Sequence, residues 1–328
     1  MRGGFKTICR ANLIASLSSP YQSSEPKERS DKARELTWNN EIISSRKVRL
    51  AVIDHITSMP SVVIPVKQLT EICREGGVDR VFIDAAHSIE NIDIDLQAIG
   101  ADFYTSNLHK WFFCPPSASA SADAHHLVVT HEYGKGLAVE SSWVGNRDYS
   151  AQLVIPTIFE FLKQFDGGLE EIKRYNHEKV VAMGKILAEA WGTDLGTSPE
   201  LSSSNIMVGL PAGLKIRSNK DAMILRAHLR VNFEVEVPIY HVKDLINEDD
   251  KDCENLVTGY ARISHQIYNI LSDYQKLRDA INNLVEDSIT CEKLEELVDE
   301  NNIGNLSNFT DKISRTRRRA RYAGSGES

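Results

Sequence analysis

The sequence predicts an α/β protein: a large domain built on a mainly parallel sheet, followed by a smaller C-terminal α/β domain. Three observations predict it. Segment 48–84 reads as strand, helix, strand, the pattern of a parallel βαβ unit. Short β-branched apolar runs continue to alternate with helical periodicity as far as about residue 284. The chain's 328 residues are enough for a large core and a second, smaller one. With 41% hydrophobic and 26% charged residues, a mainly disordered or fibrous chain is excluded. No apolar run reaches the roughly 18 to 20 residues that span a bilayer.

Residues 1–46 carry Arg2, Lys6 and Arg10 with no acid until Glu25, a composition seen in organellar transit peptides. Segment 23–40 is polar and aperiodic, so this stretch is expected to be a divergent, disordered N-terminus. Segment 48–53, VRLAVI, suits a strand buried on both faces. Val66, Leu69, Ile72 and Cys73 then fall at helical spacing, with Gly76-Gly77 as a stop. Val81, Phe82 and Ile83 give the next strand, which ends at Asp84. A further strand is predicted over 101–105, leading into SNLHKWFF at 106–113. The large domain is assigned to 47–174.

Helices are predicted over 153–165 and 169–191, the second long enough to link two domains. Then follow a strand at 205–210, a helix at 221–230, strands at 234–239 and 260–264, and a helix at 272–284. These place the small domain at 175–288, with a helical extension and basic tail at 289–328. That tail holds five arginines between Arg315 and Arg321. On a chain of net charge −8 such a run reads as a solvated tail, and nucleic-acid binding is not expected.

The five cysteines, Cys9, Cys73, Cys114, Cys253 and Cys291, are odd in number and contain no CxxC pair. This favours reduced thiols over a disulfide framework or a metal site, and a cytoplasmic placement, with mitochondrion or plastid as the alternative.

Ligands of open α/β sheets sit beyond the carboxyl ends of the strands. Asp84 stands at such an end, where a carboxylate needs a partner or a ligand. Lys110 lies just beyond the next strand, between His109 and three aromatic residues. Aromatic packing desolvates a lysine and lowers its pKa, which turns it into an amine able to form a Schiff base. Either residue alone is compatible with an ordinary surface role; the pair points to chemistry.

FIDAAHS at 82–88, GADFYTSNLHKW at 100–111, WVGNRDY at 143–149 and GYARIS at 259–264 together resemble the class V aminotransferase-like enzymes. The likeness is to the isopenicillin N epimerase-like branch and its plant L-cysteine desulfhydrases. The resemblance implies the type I pyridoxal-phosphate-dependent transferase fold, pyridoxal 5'-phosphate as cofactor and a homodimer. It assigns Lys110 to the covalent hold on the cofactor and to proton transfer at the substrate's α-carbon. Asp84 would pair with the pyridinium nitrogen, and His87 would lie near the ring's phenolic oxygen. His109 would donate to the phosphate, with Asn107 or Ser106 nearby. Arg262 would grip the substrate carboxylate, and Arg147 would stand close to the site. The implied reaction is α,β-elimination from L-cysteine, giving sulfide, pyruvate and ammonia.

Against the family pattern the upstream part of the large domain is not matched, so the chain is expected to be N-terminally truncated. The alternative is therefore a truncated, catalytically impaired relative, or an epimerase or cysteine desulfurase of the same family. A desulfurase needs a mobile nucleophilic cysteine. Cys253 is the loop candidate, but the surrounding acids disfavour its thiolate, and Cys114 is expected to pack as a small residue.

Overall fold

The computed structural model describes residues 8–10, 48–115, 119–122, 150–242 and 257–300. Five strands form one sheet in the order β1-β2-β3-β4-β5: β1 (Ile8–Arg10), β2 (Leu50–Asp54), β3 (Arg80–Asp84), β4 (Phe103–Asn107) and β5 (Ser119–Ala122). The first four run parallel and β5 is antiparallel to β4. The helix predicted between β2 and β3 is α1 (Val66–Glu75). It buries Val66, Leu69, Ile72 and Cys73 on the sheet, the four positions whose spacing predicted it. At its exit Gly77 takes a φ of 74°, a conformation that costs a side chain with a Cβ, so the glycine stop is used as a stop. Val81 and Ile83 are wholly buried between the layers, each side chain contributing about 1.5–3 kcal/mol of apolar burial.

β4 begins two residues later than the sequence suggests. Gly100 caps the short helix α2 (Leu96–Ile99) in a left-handed conformation, and Asp102 turns its carboxylate to the start of β3. Asp102 accepts from the Val81 amide at 2.7 Å and pairs with Arg74 at 2.6 Å and Arg80 at 2.8 Å. β4 runs without a linker into α3 (Leu108–Trp111), a single helical turn.

The helix predicted over 153–165 is shorter and split, into α4 (Ser150–Leu153) and α5 (Ile155–Leu162). Next comes α6 (Gly168–Trp191). Contacts divide the chain into two units, of which the first holds residues 1–189, 194–208 and 262–271. Most of α6 therefore belongs to this first unit. Its Gly184 lies against β6 (Asn205–Gly209), where a Cβ would meet Ile206 at 3.0 Å and Leu195 at 3.1 Å.

The second unit comprises 190–193, 209–261 and 272–328. It contains α7 (Asn219–Asn232), β7 (Ile239–His241), the first half of β8 (Gly259–Ser264), α8 (Leu271–Glu286) from residue 272 onward, and α9 (Cys291–Glu300). Leu214, Leu225, Leu229, Ile281, Leu284 and Leu294 are buried in it. β6, β8 and β7 form one sheet in that order.

The strand predicted over 234–239 is a correction. Val235 and Val237 are buried as their alternation suggests, but only Ile239–His241 pairs with β8. Glu234 is left-handed at 54°, the Val235 amide bonds back to the Leu229 carbonyl at the end of α7, and Pro238 has no amide to give. Alternation here reports burial of a helix exit rather than a ladder. Among the described residues no helix is long and apolar enough to cross a membrane.

Candidate active site

The register of the parallel sheet sets Asp54 beside Asp84, and Asp84 beside Thr105, at the carboxyl ends of β2, β3 and β4. The ladder continues one step further, His55 amide to Asp84 carbonyl at 2.9 Å and Ala85 amide to Thr105 carbonyl at 2.8 Å, so these ends are held in place. Asp84 also accepts from the Ala86 amide at 3.1 Å, which fixes one carboxylate oxygen. Two acids on adjacent parallel strands concentrate negative charge where such sheets bind ligands.

Lys110 sits on α3, directly after β4. Its Nζ lies 3.2 Å from His87 Nε2, and the other ring nitrogen of His87 accepts from the Trp111 indole N–H at 3.2 Å. The His87 carbonyl accepts from Asn91 Nδ2 at 2.6 Å, which anchors the turn. Burial, reinforced by the charges of Lys110 and Arg262, pushes the His87 imidazole down to about 3, so it is neutral at ordinary pH. Partial burial lowers Lys110 as well; Asp84 opposes this, Arg262 adds to it, and Asp54 opposes it more weakly.

Arg262 lies on β8, in the part of that strand that belongs to the first unit. One of its terminal nitrogens donates to the Ser58 carbonyl at 2.7 Å and to the Ser58 hydroxyl at 2.8 Å. The turn after β2 thus steadies a guanidinium that acts electrostatically on both His87 and Lys110. The structure brings Lys110, His87, Asp84 and Arg262 together. Lys110 is the amine that could bond a carbonyl carbon, Asp84 the carboxylate that could pair with a cationic ring atom, and Arg262 a fork for a carboxylate.

The phosphate-side candidates divide. His109 is exposed on the same turn as Lys110, and Asn107 is half-buried at its start with no side-chain capping bond. Ser106 lies inside β4. It is 4% exposed, donates its hydroxyl to the Ala85 carbonyl at 2.6 Å and accepts from the Ile89 amide at 3.4 Å. Strand alternation turns it inward, and it ties β4 to the 85–89 turn. Arg147, with the rest of 143–149, lies outside the described residues, as do Cys253 and the arginine tail. Cys114 is buried and its thiol is pushed up by that burial.

Residues 28–117 match the family model described as aminotransferase class-V. The match starts inside the stretch expected to diverge, and the class-V segment takes in Asp84, His87 and Lys110. An Arabidopsis thaliana protein named "L-cysteine desulfhydrase" is 52% identical over 262 residues, covering 76% of this chain and 58% of its own length. Another from the same plant, named "Probable L-cysteine desulfhydrase, chloroplastic", is 56% identical over 261 residues, covering 76% of this chain and 54% of its own. The chain thus spans little more than half the length of these curated relatives. Among solved structures a NifS-like protein superposes with a TM-score of 0.56 at 17% identity, covering 79% of this chain and 65% of that one. This shows the type I fold of the pyridoxal-phosphate enzymes, with the matched segment supplying β2, β3 and β4 of the sheet.

Sequence reasoning missed a group behind the class-V lysine. Glu90 is 2% exposed and left-handed at a φ of 68°. One carboxyl oxygen accepts from Gln266 Nε2 at 3.1 Å, and the other has no partner among the described residues. Gln266 in turn accepts from Asn176 at 2.8 Å and donates to the Trp111 carbonyl at 3.4 Å. Burial pushes Glu90 up to about 8, which the Gln266 amide only partly offsets. An acid among polar loop residues gives no sequence signal of this, because its partner lies 176 positions away.

Proposed function

We propose that this chain carries the lysine-bearing part of a pyridoxal-phosphate-dependent carbon–sulfur lyase that acts on L-cysteine. The observation that carries the reading is the Lys110 amine held 3.2 Å from a neutral His87, in the field of Asp84, Asp54 and Arg262. The names of the two Arabidopsis relatives, with 52% and 56% identity, support the substrate, and the second name supports a plastid placement. The donor set suits the cofactor: an amine of lowered pKa for its aldehyde, and a strand-end carboxylate for its ring nitrogen.

When bound, pyridoxal phosphate supplies an electron sink for negative charge at the substrate's α-carbon. Lys110 Nζ, as the free base, would hold the cofactor through its aldehyde and, once released, would take the substrate's α-proton. Asp84 would pair with the protonated ring nitrogen, and His87 would serve the phenolic oxygen. Arg262 binds the α-carboxylate and orients the α-carbon toward Lys110. Sulfide leaves from the β-carbon with the bonding pair, and one water completes the balance to pyruvate and ammonia. A homodimer is part of the reading.

The test is the purified chain with excess pyridoxal phosphate. A visible absorbance band, lost on borohydride reduction with the label mapped to Lys110, is expected, together with sulfide and pyruvate from L-cysteine. Lys110→Ala should abolish the label and lower turnover by about 10²–10⁴-fold. Absence of the band, or turnover unchanged in Lys110→Ala, overturns the proposal.

A further inference from the structure

The three side chains Trp111, His87 and Lys110 form a chain of contacts in which the first can only donate. An indole nitrogen is a donor and never an acceptor. With Trp111 Nε1 at 3.2 Å, His87 Nδ1 must accept. A neutral imidazole carries one proton, so that proton is on Nε2, the nitrogen 3.2 Å from Lys110 Nζ. An ammonium at Lys110 would point a second donor at the same contact, whereas an uncharged amine accepts through its lone pair. Shifting the histidine proton to Nδ1 would accommodate an ammonium, but would set it against the indole N–H.

We propose that Trp111 is a positioning residue whose indole N–H locks His87 in the Nε2–H form and thereby disfavours the ammonium form of Lys110. The proposal rests on the reading of Lys110 as the amine of the site. Trp111 suits this role because it is buried and its carbonyl is held by Gln266. The other groups acting on the amine are Asp84 and Asp54 from the ends of β3 and β2, which favour the ammonium, and Arg262 from β8, which disfavours it. None of these three changes when the indole is replaced.

The experiment compares the full chain with Trp111→Phe, which keeps an aromatic ring and removes the donor. The pH midpoint of Lys110 is read by competitive acetylation and peptide mass spectrometry, with no cofactor present. In Trp111→Phe it should rise by about one unit, so that acetylation of Lys110 near neutral pH falls about tenfold. In the unsubstituted chain, ¹⁵N spectra of His87 should show Nδ1 unprotonated and Nε2 protonated, a reading that needs no variant to fold. A protonated Nδ1, or an unchanged Lys110 midpoint in a folded Trp111→Phe, overturns the proposal. Borohydride labelling with pyridoxal phosphate, run in parallel, separates the two readings. A labelled Lys110 with an unmoved midpoint sinks only the role of Trp111, and a moved midpoint without labelling sinks only the cofactor reading.

Discussion

The two ends of one parallel sheet treat their charges in opposite ways. At the end where β3 and β4 begin, the Asp102 carboxylate is met by the Val81 amide, Arg74 and Arg80. Burial would raise its pKa, but these three donors outweigh it and hold Asp102 below the usual carboxylate range. At the end where the strands finish, Asp54 and Asp84 lie side by side, Lys110 is held against a neutral histidine, and Glu90 is buried with one oxygen unpartnered. The first end satisfies its charges internally and gains stability. The second leaves electrostatic demand that a ligand could meet, and costs stability while it does so.

Glu90 offers the largest effect on that contrast. Its folded-state pKa of about 8 lies above the ordinary 4.5, so the folded protein holds a proton there that the unfolded chain releases. Stability is therefore unaffected by Glu90 below about pH 4.5 and falls as pH rises toward 8, by up to about 1.4 kcal/mol per pH unit. Urea unfolding of Glu90→Gln should lose this slope relative to the parent chain. Glu90→Gly, which also relieves the left-handed backbone, should be more stable than the parent by about 2–3 kcal/mol at pH 8. Parallel stability curves for parent and Glu90→Gln would show that Glu90 is paired after all.

Asp102 gives the next largest effect, with the opposite sign. Asp102→Ala should cost about 1–2 kcal/mol at neutral pH, because two half-exposed arginines are screened by water and one amide loses its acceptor. The depressed pKa means that this contribution is present above the ordinary carboxylate value of 3.8 and vanishes as pH falls through the folded value. The parent and the variant should therefore converge in urea midpoint below about pH 4. The smallest effect is at Ser58, whose hydroxyl steadies Arg262 at 2.8 Å. On the proposed lyase reading, Ser58→Ala should raise KM for L-cysteine about fivefold with little change in kcat, since the loss falls on carboxylate binding.

Much of the sheet and its lysine was legible because the signals were local. The spacing of Val66, Leu69, Ile72 and Cys73 gave α1, and Asp84 closed an apolar run whose end marks a ligand position. Lys110 stood out as a lysine among aromatic residues, and its motif carried the family. What remained hidden depends on pairs distant in sequence or on which way one residue faces. Arg262 and Ser58 are 204 positions apart, and Trp111 looked like packing until its indole nitrogen met His87. Ser106 was placed near the phosphate by its position in a motif, whereas its facing in β4 sends the hydroxyl to a backbone carbonyl.

β4 passes into α3 at Asn107 and Leu108 with nothing between them. The lysine is therefore indexed by the ladder of the sheet, like a tooth cut on the end of a rule. One residue inserted at that junction would swing Lys110 by about 100° around the helical axis, away from His87, while leaving every strand paired. Loops far from the junction can absorb an inserted residue, but at this point the reading frame of the backbone is itself part of the site.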